Sequence, residues 1–224
     1  MLKRFMNLWR TEGPCEEAWQ ACMTMLRESM GMFTDAVASL REEPSLKVDI
    51  YTRDRALNKF ERAVRRNIVT HLAVSTNPDI NTALVLTAIV IDIERIGDYT
   101  KNIVELATAH EGVFRGGEIA REIEWVETTV TQMFNALIPV LENSDSDRAR
   151  QVLGDHQMVA DRVEDCLQDL IAGRILAQDP GAAVTAALYL RYLKRVSAHL
   201  KNVASSVVNP YYRIGFREKV GENG

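Results

Sequence analysis

Along most of this chain apolar residues return at steps of three and four, and no stretch alternates strictly between apolar and polar over a strand's length. That period places apolar side chains on one stripe of a helix, so the pattern predicts helices and no sheet. Six helical segments follow from the period and its breakers: about Pro14–Glu43, Leu46–Val74, Ile80–His110, Glu118–Asn143, a fifth reaching about Gln178, and Ala182–Val208. Pro14 suits a first helical turn, where its missing N–H costs nothing. The interruptions are Pro44–Ser45, "STNPD" (75–79), "EGVFRGG" (111–117), "SDSD" (144–147), "DPG" (179–181) and Asn209–Pro210, each built of residues that favour turns or caps. Pro139 is expected to kink or end the fourth helix near its last turn.

The third segment shows the stripe most fully. Leu86, Ile89, Ile93, Ile96, Thr100, Ile103 and Ala107 alternate steps of three and four, as the a and d positions of a coiled-coil seam do. Long helices joined by short turns pack as antiparallel neighbours, so the expected class is all-α.

The six segments also repeat. "ERIGDYTKNIVELA" (94–107) lies over "KRVSAHLKNVASSV" (194–207), pairing Arg95 with Arg195, Lys101 with Lys201 and Asn102 with Asn202. "NKFERAV" (58–64) lies over "DRVEDCL" (161–167), with Glu61 over Glu164. Two copies of one three-helix unit account for this. The expected division is a short N-terminal helix or arm (1–13), a first three-helix bundle (14–113), a second (117–209) and a C-terminal tail (210–224). In the arm, Leu2, Phe5, Met6 and Trp9 would share one side of an amphipathic helix, folded back on the bundle or turned to a membrane or partner.

Composition narrows the class. With 224 residues, 46% of them hydrophobic, the chain can bury a real core. A formal net charge of −4 without a basic stripe argues against nucleic acid as a partner. Three cysteines (Cys15, Cys22 and Cys166) and no C-x-x-C point to a reducing cytoplasm rather than a disulfide framework. Cys15 and Cys22 are expected to pack as small apolar groups, and the methionines of the first helix as core filler or a soft partner surface. The uncharged run from Ile80 to Ile91 is too short to span a bilayer.

Glu94 and Asp98 interrupt the apolar third helix without joining its seam; with Asn102 they form a row at i, i+4 and i+8. Asp54, Asn58 and Glu61 form a similar row on the second helix. If the rows converge, they offer carboxylate and amide oxygens without sulfur or imidazole, a set suited to hard cations such as magnesium, manganese or iron. Alternatively they form a solvated face neutralised by Arg62, Arg65, Arg95 and Lys101, with pairs worth only about 0–1 kcal/mol each. Gly97, lodged mid-helix between the acids, costs about 1 kcal/mol against alanine and implies a close approach to the backbone. Other chemistries lack their residues. None of His71, His110, His156 or His199 follows a Glu by three positions, as a di-iron bundle requires. His199 reads as a partly exposed helix residue. No nucleophile elbow, phosphate loop or dinucleotide fingerprint appears, so a hydrolase or oxidoreductase built on a carboxylate-held metal lacks a placed base or nucleophile.

"ERIGDYTKNIVELA", set at the end of the third helix of a repeated unit, resembles the signature of PhoU-domain proteins. The resemblance covers about Pro14 to Phe216. It implies two tandem three-helix bundles in a cytoplasmic, usually dimeric, non-enzymatic regulator. Such a protein acts with a phosphate ABC transporter ATPase and a sensor histidine kinase, meets the membrane only through partners, and can carry iron or another divalent metal on its acidic faces. Carried over by position, the metal ligands would be Asp54, Asn58, Glu61, Glu94, Asp98 and Asn102. Asn58 stands where the family more often has an acid. The second copy departs further: Lys194 and Ala198 replace the motif's two acids, and Gln157 takes the first position. At most one metal-loaded face is therefore expected, in the N-terminal half. The departures also admit another reading, a metal-free adaptor of the same fold serving another transporter, for example a sodium–phosphate symporter.

Overall fold

The computed structural model describes residues 13–42, 48–175 and 179–218. The expected N-terminal arm and the last residues of the tail lie outside the described residues. Six long helices follow one another: α1 (Pro14–Arg41), α2 (Ile50–Val74), α3 (Ile80–Ala109), α4 (Ala120–Asn143), α5 (Ser146–Ile171) and α6 (Pro180–Val208). Short 3₁₀ turns occupy Gly117–Ile119 and Tyr211–Arg213. No strand occurs among the described residues, so the class is all-α.

Local chemistry sets the helix starts. Asp49, Asp79, Asp145 and Asp179 each accept a hydrogen bond from a backbone N–H in the first turn, from Thr52, Thr82, Arg148 and Ala182 in turn. Each satisfies a donor that a helix start leaves unpaired. Pro14 and Pro180 open α1 and α6. α4 ends where Ser144 turns left-handed at φ 51°. Pro139 does not end α4, which runs on to Asn143.

Helices α1, α2 and α3 pack against one another, α4, α5 and α6 do the same, and α3 lies against α6 to join the two triplets. The α3–α6 pair is antiparallel: Asp92 meets Asn202, Tyr99 meets Tyr192, and His110 meets Thr185. The predicted seam of α3 is buried from Leu86 to Ile103. A second buried row, Val90, Gly97 and Val104, stands beside it. α3 is thus enclosed on two sides; Glu94, Asp98 and Lys101 are half-buried on the remaining side, and Arg95 and Glu105 are exposed. Cys15, Cys22, Met23, Met25 and Met32 are core residues.

Several polar contacts join the halves, two clusters of them partly or fully buried. At one end the Arg41 guanidinium of α1 donates to Glu127 of α4 at 2.9 Å and to the Phe114 carbonyl at 2.5 Å, while the buried Tyr189 hydroxyl of α6 donates to the same Glu127 oxygen at 2.6 Å. Further along α3, Asp92 Oδ1 lies 2.7 Å from His199 Nδ1 and accepts from Asn202 Nδ2 at 2.9 Å. Phe33 and Phe134 pack between α1 and α4, their ring centroids 5.2 Å apart.

Candidate functional site on the acidic face of the first bundle

The two oxygen-bearing rows meet. Asp54, Asn58 and Glu61 on α2 face Glu94 and Asp98 on α3. Burial, and then the charges of Asp98, Glu61 and Asp54, raise the Glu94 carboxyl above its ordinary range. Four carboxylates therefore share one neighbourhood, and three of them oppose ionisation of Glu94.

An ammonium group holds the centre. Lys101, one turn beyond Asp98 on α3, donates to Asp54 Oδ1 at 3.0 Å and to Asp98 Oδ1 at 2.9 Å, tying α2 to α3. Burial alone would lower its pKa; the hydrogen bonds and charges of Asp98 and Asp54 outweigh that and raise it. Lys101 thus stays charged at any physiological pH. The remaining residues are also engaged. Glu61 accepts from Arg65 at 2.6 Å. Asn58 turns its amide back onto its own helix, donating to the Asp54 carbonyl at 3.1 Å and weakly to Asp54 Oδ2 at 3.4 Å. Asn102 is half-buried on the same helix, a turn beyond Asp98.

Gly97 has a packing explanation. A Cβ there would collide with Leu57 Cδ1, and Leu57 is 2% exposed. The close approach inferred from the sequence is real, but the approaching group is a core leucine of α2 rather than a ligand.

The resemblance implies a metal on this face. Among the described residues, no three His, Cys, Asp or Glu side chains are grouped so that they could hold a metal ion. The Lys101 ammonium occupies Asp54 and Asp98, two of the residues that would hold a metal. As placed, these side chains fit an ammonium and do not fit a metal.

The second copy is arranged differently. Lys194 donates to Glu164 at 2.7 Å, and Gln157 donates to Asp161 at 2.7 Å. Lys201, the counterpart of Lys101, donates to the Gly215 carbonyl of the tail at 2.6 Å, and Arg217 donates to Gln157 Oε1 at 3.2 Å. Asn202 has left the row altogether, since it binds Asp92 across the seam between the bundles.

His199 corrects the sequence reading, which placed it partly in solvent. It is 5% exposed, is bonded to Asp92, stacks on Tyr99 with ring centroids 5.7 Å apart, and has its Nε2 buried without a hydrogen-bond partner. The signal was present in the repeat, because His199 stands over Tyr99 and Tyr192 over Asp92. The same pair of positions meets twice across an approximate two-fold, once as Tyr–Tyr and once as Asp–His.

Comparison with known proteins bears on both halves. The PhoU domain family model matches residues 23–107 and again 123–207. A phosphate-specific transport system accessory protein PhoU homolog from Pseudomonas aeruginosa is 26% identical over 182 residues, covering 78% of this chain and 74% of that protein. The crystal structure of PhoU from Pseudomonas aeruginosa superposes with a TM-score of 0.77 at 23% identity, over 87% of this chain and 95% of that one. The phosphate transport system regulatory protein PhoU from Streptococcus pneumoniae superposes at 0.73 with 15% identity, over 87% and 93%.

Proposed function

The chain belongs to the PhoU domain family, and from that membership we propose that it is an accessory regulator of a phosphate transport system, working in the cytoplasm by protein contact rather than by catalysis. The observation that carries this reading is the double family match, together with a relative of comparable length whose name is that of a phosphate-transport accessory protein. The partners on this reading are a phosphate transporter ATPase, a sensor histidine kinase, or both, and the working form is a homodimer. The surface is compatible with docking. Val69, Leu72, Val74 and Ile80, near the α2–α3 turn in sequence, are each exposed, and large exposed apolar side chains are available for contact with a partner. No helix among the described residues is long and apolar enough to cross a membrane. On this reading the chain meets the membrane through its partners.

Deleting the gene and measuring phosphate uptake with phosphate plentiful tests the reading. Uptake and a phosphate-responsive reporter should both rise, and the tagged chain should recover a transporter ATPase or a kinase from detergent extracts. Unchanged uptake and reporter, with neither partner recovered, would refute it. Recovery of a sodium–phosphate symporter instead would select the adaptor reading, which the lysine-neutralised acidic faces favour.

A further inference from the structure

We propose that Lys101 is the resident cation of the acidic face, so that the first bundle needs no metal ion to bring α2 and α3 together. This goes beyond the regulatory reading and holds whichever transporter is the partner.

Three observations carry it. First, a single positive group sits where the two rows converge. The Lys101 ammonium spans Asp54 and Asp98 at 3.0 and 2.9 Å, and its side chain is only 22% exposed. The pair with Asp54, whose side chain is 17% exposed, is screened less than one at the surface. Second, two further members of the row are engaged without a metal. Glu61 is paired with Arg65, and the Asn58 amide supplies donors where a metal ligand would supply acceptors. The glycine that could have made room for an ion makes room for Leu57.

Third, the second copy reaches the same end by different means. Lys201 occupies the position equivalent to Lys101, and both acid partners are missing because Gln157 and Ala198 stand where Asp54 and Asp98 would be. The C-terminal segment fills the gap. The Gly215 carbonyl accepts from Lys201, Arg217 reaches Gln157, and Glu218 accepts from Arg150 at 2.8 and 3.0 Å. The Gly215 N–H donates to Ser205 Oγ at 2.7 Å, which fixes the segment on α6. Lys194, in place of the motif's glutamate, neutralises Glu164. In both copies, then, lysine and the chain's own oxygen atoms satisfy a face that would otherwise gather uncompensated charge.

The consequence is specific. Removing the ammonium while leaving the acids should turn a metal-indifferent protein into a metal-responsive one. Four carboxylates without their cation repel one another, and a divalent ion relieves that repulsion. The test uses the full chain purified without a histidine tag, dialysed against chelator, then exposed to manganese, magnesium or iron. Elemental analysis of the wild type should find no stoichiometric metal, and its melting temperature should not move with manganese. Lys101→Met should melt lower than wild type in chelator and recover with manganese, which it should bind at least about tenfold more tightly than the wild type does. Lys101→Arg keeps the charge and should stay as indifferent as the wild type. The proposal is overturned if the wild type takes up stoichiometric metal that Asp98→Asn abolishes. It is equally overturned if Lys101→Met and wild type respond to manganese alike. Should Lys101→Met not fold, the metal content of the wild type and of Asp98→Asn still decides it.

Discussion

At the scale of single residues, Gly97 shows how a correct inference can point to the wrong partner. A glycine in mid-helix has to be offset by something, and here the offset is the packing of Leu57 against the bare backbone of α3. Adding a methyl group there gains helix propensity and loses more to overpacking, because Leu57 is enclosed in a dense core. Gly97→Ala is expected to destabilise the protein by about 1–2 kcal/mol in urea unfolding, the overpacking cost exceeding the gain in helix propensity. In a double-mutant cycle with Leu57→Ala the two losses should fall short of additivity. Full additivity would mean that Leu57 is not what the glycine accommodates.

At the scale of elements, α5 and α6 meet through a histidine that folding keeps neutral. His156 Nδ1 lies 2.9 Å from the Ser197 hydroxyl. Burial, and then the positive charges of Lys201 and Lys194, hold its pKa down at about 4 against an ordinary 6.5. The unfolded chain therefore binds a proton that the folded chain refuses throughout the interval between those values. The stability contributed by the neutral ring is present above pH 6.5 and is lost as pH falls through the interval towards 4. Urea midpoints followed from about pH 7.5 to 4.5 should decline in the wild type and decline less in His156→Gln. Equal slopes for the two proteins would remove His156 as the cause. The sequence marked this histidine only as lacking a di-iron partner. Its burial depends on α6, which is distant in the chain.

At the scale of the whole molecule, the two bundles are held as one body by contacts that no single repeat contains. Arg41, Glu127 and Tyr189 come from α1, α4 and α6 and converge on one carboxylate oxygen. Burial raises the Glu127 carboxyl despite both donors, so the pairing with Arg41 keeps a sheltered charge tolerable. Arg41→Met should cost about 3 kcal/mol, because it strands that charge rather than merely deleting an attraction. The loss should be partly recovered in Arg41→Met/Glu127→Gln. A single-variant loss within experimental error would mean that the halves are joined by apolar packing alone.

The sequence by itself determined the class, the helix order and the repeat, because each is written in short-range period and in turn chemistry. Apolar steps of three and four need only the next helical turn to be read, and the aspartates at 49, 79, 145 and 179 act within three residues of themselves. It also put Asp54 and Glu61 on one side of the second helix and Glu94 and Asp98 on one side of the third, since spacing fixes which side of a helix a residue occupies, but left open whether the two rows share a face. The tertiary structure alone decided what that face holds. Whether Lys101 reaches Asp54, whether Leu57 claims the space beside Gly97, and whether His199 is solvated or pressed against Asp92 all depend on the distance and rotation between helices remote in sequence. Periodicity tells which residues share a side of a helix; only packing tells what stands opposite.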